Sequence, residues 1–61
     1  MPIVQIDLFK GRTLEEKRTL AEKVTKAIVD SLACPKEAVS IIMRDMETDN
    51  YANSGKLWCD K

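Results

Sequence analysis

The 61-residue chain has no histidine, only two cysteines, two glycines and two prolines, and one each of Phe, Tyr and Trp. Each scarcity closes a route. Without histidine, the side chain whose ordinary pKa lies near neutrality is missing. An acid–base catalyst here must shift a carboxylate, Lys, Cys or Tyr, or use an α-amino group, whose reference pKa of about 7.7–8.0 is already close to working pH. Cys34 and Cys59 cannot complete a tetrahedral zinc site by themselves. Their spacing fits no secreted disulfide framework, and the opening residues carry no signal-peptide pattern, so a cytoplasmic protein with reduced, inert thiols is expected. No apolar run is long enough to span a bilayer. Ten basic residues balance ten acidic ones, so no strong field draws nucleic acid or an anionic membrane.

A chain of this length forms one domain at most, residues 1–61. It buries only about 60% of its unfolded surface, and a lone core of that size supplies no more than a few kcal/mol. With disulfide and metal set aside, oligomerisation is the remaining way to stabilise it.

Residues 2–9 read as a strand that sets Val4, Ile6 and Leu8 on one face and Ile3, Gln5, Asp7 and Phe9 on the other. Pro2 is tolerated because it opens the strand. Lys10-Gly11-Arg12 breaks the pattern with a turn. Thr13 and Glu16 then form a capping box, and Leu20, Val24, Ala27, Ile28 and Leu32 recur at helical spacing as one apolar stripe. The charged residues between them, Lys17 among them, read as a solvated face. Pro35 ends the helix near Ala33 or Cys34. Residues 38–46 form a second strand, almost continuously apolar up to Arg44, which suggests burial on both faces. The tail from Glu47 reads as turns, at Asp49-Asn50-Tyr51 and Asn53-Ser54-Gly55, around a short extended piece.

Strand, helix, strand makes an α/β chain with a single βαβ unit, parallel strands and a right-handed crossover. One helix covers only one sheet face and both strands leave open edges. The uncovered face, holding Ile3, Phe9 and Ile41 or Met43, therefore needs another subunit.

Met1-Pro2-Ile3 opening a strand, Gly11-Arg12-Thr13 at the strand-to-helix turn and Glu15-Glu16-Lys17 opening the helix together resemble the 4-oxalocrotonate tautomerase family. The match runs on through Pro35, Asp45-Met46, Tyr51 and Gly55 and covers nearly the whole chain. The resemblance implies an isomerase that moves a proton in an enol–keto or double-bond isomerisation of a small carboxylate. Pro2 would act as general base and then general acid after Met1 is excised, because the Met1–Pro2 peptide bond leaves the proline nitrogen without a basic lone pair. Apolar surroundings and a nearby cation such as Arg12 would lower the ammonium pKa toward working pH. Arg12 can grip a carboxylate bidentately. In the family this arginine reaches the proline of a neighbouring subunit, within a hexamer built as a trimer of dimers. Tyr51 stands where the family often carries an aromatic pocket wall, and no cofactor is implied.

The chain departs from that pattern at Ser40, where the best-studied members carry a second arginine credited with gripping the 2-oxo and carboxylate end of the substrate. Its loss weighs against the dicarboxylate 2-hydroxymuconate. Arg44 shares the face of Ser40 but sits roughly 13 Å along the strand, too far to replace it. Two other functions remain open. Hydration or dehalogenation of an unsaturated acid, or decarboxylation, would stay within the superfamily; hydration needs a carboxylate near Pro2, and Asp7 and Glu47 are the candidates. A non-enzymatic assembly module would use Pro2 only to start a strand. Trp58 reads as an interface or covering residue.

Overall fold

The computed structural model describes residues Met1–Lys61. Strand β1 spans Ile3–Phe9, helix α1 Leu14–Leu32 and strand β2 Ser40–Met46. The two strands pair in parallel, Ile3 opposite Ser40 through Phe9 opposite Met46. The βαβ unit expected from the sequence is therefore present. Strand β2 begins two residues later than expected, because Lys36–Ala38 wind into one 3-10 turn after Pro35. The tail is more ordered than a single extended piece. Strands β3 (Ala52–Asn53) and β4 (Lys56–Leu57) form an antiparallel hairpin, whose two-residue loop has positive φ at both Ser54 (56°) and Gly55 (78°). Two left-handed residues in sequence match the right-handed twist of the flanking strands.

The capping box at the start of α1 is complete. The Thr13 hydroxyl accepts from the Glu16 N–H at 3.1 Å, and the Glu16 carboxylate accepts from the Thr13 N–H at 2.9 Å. The helix stops at Ala33, which takes a left-handed conformation (φ 52°, ψ 42°) and donates its N–H to the Val29 carbonyl. Pro35 prevents continuation.

The apolar stripe of α1 is narrower at its C-terminal end than the spacing suggests. Leu20, Ala21, Val24, Thr25, Ile28 and Val29 are half-buried, whereas Ala27 and Leu32 are exposed. Lys17, expected on the solvated face, is half-buried and reaches across to Asp45 on β2 at 2.7 Å. The strand register also settles which apolar residues lie under the helix. Paired residues of parallel strands share a face, so Ile41 and Met43 lie with Val4 and Ile6 beneath α1, and Ile42 joins Ile3 on the uncovered face. Ile41 and Met43 thus do not belong to the bare face, because the strand is one residue out of the phase assumed for it. Burial on both faces of β2 is not achieved within one chain: Ile42 remains 44% exposed.

The subunit is a slab, 43 × 24 × 13 Å, with a Cα radius of gyration of 14.6 Å. A compact chain of this length would have about 10.5 Å. Thirteen ångströms is the thickness of one helix laid on one sheet, and no residue of the isolated subunit is fully buried. The bare sheet face presents Ile3 and Ile42 to solvent beside an Asp7–Arg44 ion pair at 3.1 Å.

Candidate functional site

The residues expected to carry chemistry lie at two opposite ends of the sheet. At one end, Pro2 continues the Val4–Ile6–Leu8 series and is half-buried. Its carbonyl accepts from the Ser40 N–H at 3.0 Å, which fixes Pro2 against the start of β2 and brings these two residues together. Met1 beyond it is 90% exposed.

At the other end, the chain must reverse within a few residues to enter α1. Gly11 does this with φ at 119°, a conformation that an L side chain rarely adopts. Arg12 follows, and its Nη1 donates to Glu16 Oε2 at 3.3 Å. Leu8, Arg12, Glu16, Lys17 and Leu20 line a hollow of about 220 Å³. The Glu16 carboxyl is held below its usual range, first by its hydrogen bond from the Thr13 backbone and then by the Arg12 guanidinium. Beside this end, on the bare sheet face, the chain's only three aromatic rings meet. Phe9 stands edge-on to Tyr51 at 5.4 Å between ring centres and stacks on Trp58 at 5.7 Å, and Tyr51 meets Trp58 at 5.9 Å. The Trp58 N–H donates to the Tyr51 carbonyl at 2.8 Å, which folds the tail back onto Phe9. A wider hollow of about 480 Å³ beside Ala21, Thr25 and Val29 contains no group from either end.

Leu8 shares the Arg12 hollow and lies six positions along the strand from Pro2, roughly 20 Å. The structure therefore does not bring Pro2 and Arg12 together within one chain, nor Ser40 and Tyr51. Asp7 and Glu47, the candidate carboxylates for hydration, are engaged by Arg44 at 3.1 Å and Lys10 at 3.0 Å. Neither approaches Pro2 in the subunit.

The family model for tautomerase enzymes matches residues 2–61. The chain belongs to the tautomerase family. A probable tautomerase of Streptococcus pneumoniae is 47% identical over 57 residues, covering 93% of this chain and 95% of that protein. The 2-hydroxymuconate tautomerase of Bacillus subtilis is 38% identical over 60 residues, covering 98% and 97%. The crystal structure of YwhB, a homologue of 4-oxalocrotonate tautomerase, superposes with a TM-score of 0.94 at 37% identity, covering 98% of each chain. This tautomerase is thus an isomerase of the 4-oxalocrotonate tautomerase family, and the reading as a non-enzymatic assembly module falls away.

Sequence reasoning did not connect Phe9 and Trp58 to Tyr51, because nothing in local spacing relates residues so far apart in the chain. It read Glu16 as a helix cap on a solvated face. The i, i+4 spacing of Arg12 and Glu16 was the available signal for the ion pair between them.

Proposed function

We propose that this tautomerase catalyses enol–keto isomerisation of 2-hydroxydienoate or enolpyruvate-type carboxylates, through the secondary amine of Pro2 released by removal of Met1. The amine takes the proton of the enol hydroxyl, the electron pair moves through the conjugated system, and the resulting ammonium returns a proton to carbon. One O–H bond breaks, one C–H bond forms and the base is regenerated, so the reaction is a net isomerisation that uses no co-reactant. Arg12 holds the substrate carboxylate and stabilises charge developing on the substrate. Ser40 leaves a small neutral side chain at the start of β2, where its N–H meets the Pro2 carbonyl. Tyr51, packed with Phe9 and Trp58 on the bare sheet face, supplies the apolar pocket wall at the Arg12 end of the strand.

The observation that carries this reading is the tautomerase match over residues 2–61 in a chain without histidine. The α-amine is then the group whose reference pKa already lies closest to neutrality. The separation of roughly 20 Å between Pro2 and the Arg12 hollow supports a site that takes Pro2 from one subunit and Arg12 from another. The exposed Ile3 and Ile42 face and the thin subunit support a homo-oligomer, for which we propose a hexamer built as a trimer of dimers. The 61 residues would act as a single domain, in the cytoplasm, as suits two free cysteines. No helix is long and apolar enough to cross a membrane.

Two measurements test the reading together. Intact mass of the native protein should show Met1 absent, and the protein should ketonise phenylenolpyruvate, with Pro2→Ala losing about 10²–10⁴-fold of the rate. Retained Met1, or equal rates for wild type and Pro2→Ala, would rule out the amine as the base.

A further inference from the structure

We propose that Glu16 is the positioning residue for Arg12, holding its guanidinium in the orientation that receives the substrate carboxylate. The inference rests on the reading of Arg12 as the carboxylate-binding residue. Arg12 lies on a turn, and 65% of its side chain is exposed. A long flexible side chain in that setting loses rotamer entropy whenever it binds, and a partner that restricts it beforehand lowers that cost.

The partner must itself be fixed, and Glu16 is. Its two carboxylate oxygens have separate tasks. Oε1 accepts from the Thr13 backbone N–H at 2.9 Å, and Oε2 accepts from Arg12 Nη1 at 3.3 Å. The Glu16 N–H in turn donates to the Thr13 hydroxyl at 3.1 Å. The first turn of α1 thus anchors the carboxylate, and the carboxylate anchors the guanidinium. Only Nη1 is engaged, so the Nε–Nη2 edge of the planar fork stays open for a second, bidentate carboxylate. Glu16 and Arg12 both line the hollow beside Leu8, so the restraint acts where the substrate end would enter. The lowered Glu16 pKa keeps the carboxylate ionised, and able to hold Arg12, well into acid.

Glu16→Gln separates this role from helix capping. Glutamine has one acceptor oxygen; when it accepts from the Thr13 N–H, the amide NH2 faces the guanidinium as donor against donor. The cap survives and the hold on Arg12 is lost. Steady-state kinetics on phenylenolpyruvate and thermal melting are measured for wild type, Glu16→Gln, Arg12→Ala and the double variant. Glu16→Gln is expected to keep a melting temperature close to wild type and to lose roughly 2- to 5-fold in kcat/KM, the scale of one exposed ion pair, mainly through KM. In the Arg12→Ala background the same change should have no further effect. Unchanged or improved kcat/KM in Glu16→Gln, or an equal loss in both backgrounds, would overturn the assignment of Glu16 while leaving Arg12 as the binding residue. Arg12→Ala with wild-type kinetics, or a wild-type protein without activity, would overturn the site reading and the role of Glu16 with it.

Discussion

The two ends of β1 are built to different degrees. Around Arg12 the chain specifies nearly every contact. Gly11 turns the backbone with φ at 119°, the capping box starts the helix, Glu16 holds the guanidinium, Lys10 pairs with Glu47 at 3.0 Å, and three aromatic rings close the tail onto Phe9. Around Pro2 there is one backbone hydrogen bond from Ser40, an exposed Met1, and a nearby helix end where Ala33 rather than glycine takes the left-handed cap. One end is complete within the subunit. The other, in the function proposed above, needs Met1 removed and a neighbouring subunit beside it. The shared site proposed above would account for the asymmetry, with a preformed carboxylate-binding end from one subunit meeting a minimal base from another.

Variants at each end sharpen this contrast. The largest effect belongs to Pro2→Ala, whose predicted rate loss arises from chemistry alone and should leave thermal stability nearly unchanged. Gly11→Ala comes next and acts on the built end. No atom lies within 4 Å of the added Cβ, so the penalty is backbone strain, about 1–3 kcal/mol. Thermal melting should report the loss, and KM should rise as Arg12 is displaced. Equal melting temperatures for Gly11→Ala and wild type would mean that this turn relaxes freely and that the Arg12 end is not preorganised. The smallest effect is a gain at the loose end. Ala33→Gly relieves a left-handed alanine and should stabilise the protein by about 1 kcal/mol in thermal melting, with kinetics unchanged. A destabilised Ala33→Gly would show that this helix end depends on the alanine side chain.

The architecture was legible because its signals are local and periodic. Alternation in residues 3–9, the Thr13–Glu16 box and Pro35 were enough to define β1, α1 and the break after it. What escaped depended on phase or on distance. A 3-10 turn after Pro35 shifted the start of β2, and Ile42 rather than Ile41 or Met43 came to the bare face. Lys17 crosses 28 residues of sequence to Asp45, and Phe9 crosses more than forty to reach Tyr51 and Trp58; no window of hydrophobic spacing contains such pairs. The candidate site residues could be located one at a time, Pro2 at the strand start and Arg12 in its turn, and their roles stay proposals. Their separation was not legible, because it depends on strand length and on which end of the sheet each turn occupies.

The shared site is tested most directly by mixing subunits. Pro2→Ala and Arg12→Ala proteins, each nearly inactive alone, are unfolded together and refolded as a mixture. If each site combines Pro2 from one chain with Arg12 from another, random assembly gives about one site in four with both residues intact, and activity on phenylenolpyruvate should return to about a quarter of the wild-type rate. A mixture no more active than its two parents would contradict the account and place both residues of each working site in a single chain.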